Sequence, residues 1–150
     1  MKKLYNTILV LFILIVIPFT SDAQCKHFAK QVCIKELSPY IHDGNYNAAI
    51  LTEGESAEMY KTFYSGQNYR IFICGSGNLP NVQFQVLDVN RNVLYDNSSN
   101  DYNEKWDFIP QTSQQLIISL QVGSESNSEA EAEPVSGCVA IMIGIKESSD

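Results

Sequence analysis

Apolar and polar residues alternate along most of this chain, in short runs separated by turn residues. The alternation is clearest at residues 59–64 and 69–74, which flank the polar, glycine-containing turn 65–68. Runs of aromatic and β-branched residues at a period of two predict β-strands. The short turn between them predicts that these two strands pair with each other as a β-hairpin.

Further strands follow from the same pattern toward the C-terminus. They are predicted at 47–52, 82–87, 93–95, 105–109, 116–122 and 138–145. The run 116–122 is almost continuously apolar, which is typical of a central strand with both faces covered. Short strands at this spacing predict a mainly β protein. We expect an antiparallel β-sandwich or jelly-roll-like fold, with its strands between about residues 47 and 146.

One segment near the N-terminus has helical rather than strand periodicity. Its apolar residues recur at spacings of three and four, at Cys25, Phe28, Ala29, Val32 and Cys33. Pro39 stops the pattern, because proline lacks a backbone donor and disfavours helix at the residue before it. We therefore predict one short N-terminal amphipathic helix over about 26–37, which packs against the sheet.

The first residues have the pattern of a secretory signal peptide. Lys2 and Lys3 precede an apolar stretch, and small residues follow at Ser21 and Ala23. This predicts a signal peptide at 1–23, with cleavage before Gln24, and one β-sandwich domain at 24–150.

Two other interpretations of this segment are weaker. An uncleaved membrane anchor needs about 20 apolar residues, and the uncharged run 4–21 has only 18. A lipoprotein signal needs a small residue before its cysteine, and Gln24 stands before Cys25. We expect a secreted or periplasmic protein with no stable membrane insertion after cleavage.

The charge of the predicted mature chain argues against one class of partner. Without the signal peptide, 8 basic and 16 acidic residues remain, a net charge of −8. Phosphate backbones are bound by clustered lysine and arginine. The sequence has no such cluster, so we expect no nucleic-acid partner, and an unknown protein or glycan is the expected ligand.

All four cysteines, Cys25, Cys33, Cys74 and Cys138, follow the signal peptide. An even number in a secreted chain predicts disulfides. On a helix, Cys25 and Cys33 would be about 12 Å apart along the axis, which is beyond disulfide reach. Two connectivities remain open: Cys25–Cys74 with Cys33–Cys138, or Cys25–Cys138 with Cys33–Cys74.

Several short segments occur in an order that suggests a family. They are the entry 51–55, the turn 65–69, the pair 86–88 and 93–96, and the segment 108–110 before 116–118. In this order the chain loosely resembles the bacterial pre-peptidase C-terminal domain, a secreted β-sandwich. The resemblance spans about residues 51–146, and it implies an accessory role. The predicted helix and the acidic segment 124–134 lie outside it.

The polar segment 96–107 holds the richest set of candidate ligand-binding residues. Its carboxylates, with neighbouring asparagines, are candidate calcium ligands: Asp96, Asp101, Glu104 and Asp107. Three aromatic residues could stack on sugar rings, since they combine an apolar face with a polar group: Tyr95, Tyr102 and Trp106. The alternative is a solvated loop beside a core tryptophan.

Other chemical motifs are incomplete. Asp88, Asn90 and Asn92 match the first half of a calcium loop, but the glycine and the bidentate acid that such a loop requires are missing. This segment therefore predicts a hairpin turn. No Cys-x-x-Cys pair supports zinc. Gly75-Ser76-Gly77 is not a nucleophile elbow.

These observations favour a secreted, non-catalytic binding or accessory module without a cofactor, apart from possible calcium. Its ligand (glycan, calcium or protein) is left open. One alternative is a structural or protein-interaction component, such as an inhibitor of a secreted enzyme. Another is a small secreted hydrolase. A binding module predicts an exposed aromatic residue among polar loops, an interaction protein predicts an apolar face or open sheet edge, and an enzyme predicts convergent acids in a pocket.

Overall fold

The computed structural model describes residues 21–77, 79–124 and 133–146. Residues 1–20 of the predicted signal peptide and residues 125–132 of the acidic segment therefore lie outside the described residues. One α-helix, α1 (Ser21–Gln31), is followed by a 3-10 helix at Cys33–Leu37. The strands are β1 (Ile41–His42), β2 (Asn47–Thr52), β3 (Ser56–Phe63), β4 (Asn68–Gly75), β5 (Val82–Leu87), β6 (Val93–Asp96), β7 (Lys105–Phe108), β8 (Gln114–Val122) and β9 (Ser136–Lys146).

The strands form two antiparallel sheets that pack face to face. In sheet 1, β9 pairs on one side with both β1 and β2, and the order continues through β4 to β7. In sheet 2 the order is β3, β8, β5, β6. This architecture confirms the predicted β-sandwich with one short N-terminal helix.

Alternate residues of the strands fill the space between the sheets. The largest fully buried side chains here are Phe63, Phe84, Ile71, Leu116, Ile118 and Ile143. Each such side chain contributes about 1.5–3 kcal/mol when it leaves water. The central strand β8 pairs on both sides, and Ile117 on its outer face is only 3% exposed, as its apolar run predicts.

The N-terminal segment covers the other face of sheet 1. Ala29, Cys33 and Leu37 are buried against Phe72 and Met142 of the sheet. Strands β4 and β9 are therefore apolar on both faces.

The helix differs from its prediction at both ends. It begins at Ser21, and its α-helical part ends at Gln31 rather than at 37. The change to a 3-10 helix rotates the residues at the junction. Val32, which we expected on the buried stripe, is consequently 51% exposed.

The predicted hairpin between β3 and β4 is wrong. β3 pairs with β8 in sheet 2, whereas β4 pairs with β7 and β9 in sheet 1. The connection 64–67 therefore crosses from one sheet to the other. β4 is buried on both faces and needs the central, helix-covered position, while β3 exposes every second residue and suits an edge.

Two disulfides attach the N-terminal segment to sheet 1. Cys25 bonds to Cys138 and Cys33 to Cys74, with Cα–Cα distances of 5.2 and 5.8 Å. This is one of the two pairings that the sequence leaves open. Disulfides persist in oxidising compartments, so the pairing fits a protein located outside the cytoplasm. No helix in the described ranges is long and apolar enough to span a membrane.

Candidate ligand-binding cleft

Three connections meet at one end of the sandwich and enclose a cleft of about 580 Å³. They are the segments before β5, before β7 and after β8. The lining residues are Leu79, Pro80, Asn81, Gln83, Tyr102, Gln121, Val122, Gly123 and Ser124. A smaller pocket of about 160 Å³ adjoins it and shares Tyr102.

Asn97 fixes the loop that carries Tyr102. It is 0% exposed, the only polar residue buried to this degree among those described. Its Oδ1 accepts a hydrogen bond from the Phe84 amide at 2.9 Å. Its Nδ2 donates to the carbonyls of Val82 and Asn103 at 3.1 and 3.3 Å. A fully satisfied buried amide of this kind holds one loop conformation.

The backbone at Tyr102 is strained. Asp101 and Tyr102 have φ angles of 52° and 53°, in the left-handed region that costs non-glycine residues about 1–2 kcal/mol each. The amide of Tyr102 donates to the Asn97 carbonyl at 3.0 Å, which helps to hold this conformation. The result is a tyrosine that is 39% exposed and lines the cleft. Strain of this kind, maintained by its surroundings, is a common feature of functional sites.

The rest of the cleft offers neutral hydrogen-bonding groups. Asn81, Gln83 and Gln121 each present a side-chain amide. Gln83 Nε2 donates to both carboxylate oxygens of Asp96 at 3.1 Å, so its Oε1 is the atom of this amide that can accept a further hydrogen bond. Among the described residues, the side chains of Asn81 and Gln121 have no hydrogen-bond partner. The described lining residues can therefore donate and accept hydrogen bonds, and none of them carries a carboxyl, imidazole, amino or guanidinium group.

Asp96 organises the base of this loop. Its carboxylate accepts hydrogen bonds from the Ser98 amide at 2.9 Å and from Gln85 Nε2 at 2.6 Å, besides those from Gln83. Burial alone would raise the pKa of Asp96. The hydrogen bonds to its charged form outweigh this effect and lower the pKa from 3.8 to about 2.

This shift predicts a pH dependence of stability. Because the folded pKa lies below the unfolded one, the stabilisation is complete above pH 3.8 and disappears as the pH falls toward about 2. We expect Asp96→Asn to flatten this acid limb when unfolding midpoints are measured between pH 5 and pH 2, an interval set by that window. Asp101→Asn, an exposed carboxyl outside this network, is the matched control. Identical acid limbs for wild type and Asp96→Asn would contradict the assignment.

The structure separates the predicted aromatic residues. Tyr95 and Trp106 lie on the β6–β7 side of the sandwich, stacked with centroids 4.9 Å apart. Trp106 also stacks on Phe108 at 4.3 Å. Both Tyr95 and Trp106 are half-buried against the core and line a different depression, of about 480 Å³. Only Tyr102 lies in the cleft.

The four predicted calcium ligands are not gathered in one place. The carboxylate of Asp96 accepts hydrogen bonds from Gln83, Gln85 and Ser98. Asp107 accepts two hydrogen bonds of 2.7 Å from Arg70. These bonds hold the pKa of Asp107 below its usual value. Asp101 and Glu104 are exposed. Within the described ranges no group of three or more His, Cys, Asp or Glu could hold a metal. Calcium binding stays a prediction.

Two other candidates from the sequence have structural explanations. Asp88 Oδ1 accepts hydrogen bonds from the amides of Asn90 and Asn92 at 2.8 and 2.9 Å, so this segment is the predicted hairpin turn between β5 and β6. The neighbouring side chains of His42 and Asp43 approach to 3.7 Å. Asp43, however, bonds to Lys61 on β3, which makes it part of a structural ion pair.

Comparisons with known proteins identify little. No family model and no curated protein matches the chain. Among solved structures, the chain is similar to Aeromonas hydrophila PliG, described as a periplasmic lysozyme inhibitor of g-type lysozyme, with 14% identity and a TM-score of 0.49. The alignment covers 68% of this chain and 85% of that one. A likeness at this level carries no argument about function, and the pre-peptidase resemblance stays a prediction.

Proposed function

We propose that this protein is a secreted, non-catalytic binding module that takes its ligand in the cleft around Tyr102. The observation that carries the proposal is the loop geometry. A buried asparagine and a strained backbone present one aromatic ring in a cleft of about 580 Å³. Maintaining such strain costs stability, and a binding role accounts for it.

The ionisation of the carboxyl groups supports a non-catalytic role. A general acid at neutral pH needs a raised pKa. Every resolved carboxyl shift in the described part of the chain goes the other way, because hydrogen bonds or arginine and lysine partners stabilise the charged form. These groups are Asp43, Glu58, Asp88, Asp96 and Asp107. None of them lines the cleft.

The test combines a ligand panel with one aromatic substitution. Thermal shift of residues 24–150 with soluble glycans, calcium and EDTA finds ligands, since a ligand at about 100 times its Kd adds roughly 2.7 kcal/mol. Tyr102→Asn removes the ring but keeps a residue that tolerates the left-handed backbone. We expect it to weaken binding at least about tenfold, the loss of roughly 1.4 kcal/mol or more.

Tyr64→Asn is the matched control, because Tyr64 is 60% exposed and follows β3 at the opposite end of the sandwich. It should leave binding unchanged. Binding that Tyr102→Asn leaves intact would place the ligand elsewhere and contradict the proposal.

A second candidate, a protein-interaction component such as an inhibitor of a secreted enzyme, is favoured by the outer face of sheet 2. Cross-strand pairing places four apolar residues in one row, Tyr60, Ile117, Leu87 and Val93. The two ends of this row, Tyr60 and Val93, are 55% and 53% exposed. The two middle residues, Ile117 and Leu87, are only 3% and 6% exposed. The apolar surface offered to a partner is therefore that of Tyr60 and Val93, and exposed apolar side chains are a feature of protein-interaction surfaces.

The open edge at β3 is a less suitable docking place than this face. Lys61 points inward from β3 and pairs with Asp43, and inward-pointing charges on edge strands discourage the addition of another strand. An inhibitor acting through the outer face should suppress a secreted hydrolase, with suppression relieved by Tyr60→Ser and unaffected by Tyr102→Asn. The reverse pattern would favour the cleft.

A further inference from the structure

We infer that the ligand of the cleft is a neutral carbohydrate. This inference rests on the proposed function and names the class of molecule that the same site recognises. It depends on the charge, the hydrogen-bonding groups and the apolar surface of the lining, in that order.

The lining carries no charged side chain among the described residues. In this lining an anionic ligand would find no arginine or lysine to compensate its charge. The adjoining pocket contributes one carboxylate, that of Glu104. Because an uncompensated charge is costly to remove from water, the described lining of the cleft favours an uncharged molecule.

The hydrogen-bonding groups match a ligand rich in hydroxyls. Side-chain amides both donate and accept, which is what a pair of neighbouring hydroxyl groups requires. The side-chain amides of Asn81 and Gln121 have no hydrogen-bond partner among the described residues, so each can both donate to and accept from a hydroxyl group. Gln83 is already oriented by Asp96, at 3.1 Å from its Nε2 to each oxygen, so its Oε1 is a preorganised acceptor for a hydroxyl proton.

The apolar part of the lining completes the match. The exposed ring of Tyr102 offers a flat surface for the C–H face of a sugar ring, and its hydroxyl adds one polar contact. Leu79 and Pro80 extend the apolar surface beside it. The volume of about 580 Å³ lies within the range of small-molecule sites.

The test is calorimetric titration of residues 24–150 with neutral oligosaccharides of glucose, mannose, xylose and N-acetylglucosamine, beside polygalacturonate and dextran sulfate. We expect at least one neutral series to bind. Its Kd should change less than about twofold between 0.05 and 0.5 M salt, because screening acts on charged contacts, and EDTA should have no effect.

Three variants locate the contacts. Tyr102→Asn should weaken binding at least about tenfold, as loss of a stacking aromatic does. Gln121→Ala removes one amide at an exposed position and should weaken it about three- to tenfold, as loss of a ligand hydrogen bond does. Tyr64→Asn should change nothing.

The outcomes separate this inference from the proposed function. If no neutral oligosaccharide binds, or if the ligand that depends on Tyr102 is a charged glycan or a protein, the carbohydrate inference is overturned. In the latter case the proposed function stands. If a neutral oligosaccharide binds equally well to Tyr102→Asn, the site assignment fails, and the proposed function fails with it.

Discussion

Replacing Cys25 and Cys138 together by alanine is expected to lower the free energy of unfolding by about 4–5 kcal/mol. The two cysteines are 113 residues apart, and closing so long a loop removes much conformational freedom from the unfolded chain. The same estimate for Cys33 and Cys74, 41 residues apart, is about 4 kcal/mol. A domain of this size has only about 5–15 kcal/mol to lose.

These losses are measured by guanidinium unfolding of four samples. They are the wild type, the two variants that each lack one disulfide, and the reduced wild type. Reduction of the wild type should destabilise it more than either paired variant. Each variant should keep its remaining disulfide, so thiol titration of the denatured, unreduced protein should find no free thiols. Four titratable thiols in the wild type, or unchanged midpoints in both variants, would contradict the pairing.

Asn97→Ala is expected to lower the free energy of unfolding by about 2–4 kcal/mol. This is a large loss for a polar residue in a loop. The substitution leaves the buried amide of Phe84 and the carbonyl of Val82 without their partner. An unsatisfied buried group costs about 1–3 kcal/mol. The substitution also removes the hydrogen bond from Asn97 Nδ2 to the Asn103 carbonyl. This bond positions the segment that carries Tyr102.

The same substitution should affect the cleft before it affects the fold. At a temperature well below the unfolding midpoint, Asn97→Ala should remain folded by far-ultraviolet circular dichroism and yet bind ligand more weakly. Asn100→Ala is the control, because Asn100 is exposed and its side chain makes one hydrogen bond, to the Asp96 carbonyl at 3.1 Å. Equal losses of stability in the two variants would contradict the anchoring role of Asn97.

The strands were predictable because each is a local pattern. β2 and β5 begin and end where the sequence predicts, and β8 is the doubly covered central strand that its apolar run indicates. The true partners of β3 and β4, which lie in different sheets, were not predictable. Alternation shows which residues face a core but not which of two sheets supplies the neighbouring strand, and both sheets border the same core here.

The cleft could be predicted only in part. Tyr102 was identified from its residue type and its polar neighbours, but Trp106 and Tyr95 have the same signal and support the core instead. Asn97 carries no sequence signal that distinguishes it from the asparagines nearby, because its partners, such as Phe84, lie 13 residues away in the chain. The amides of Asn81, Gln83 and Gln121 become neighbours only when β5 and β8 pair.

The nested arrangement of the two disulfides has a consequence for survival in surroundings rich in proteases. The Cys33–Cys74 loop lies entirely within the span from Cys25 to Cys138. A single cut of any peptide bond between Cys25 and Cys138 therefore yields two pieces that are still covalently joined. Such a cut loosens the backbone locally but releases no fragment. The two pieces remain linked, and the core between the sheets continues to hold them together.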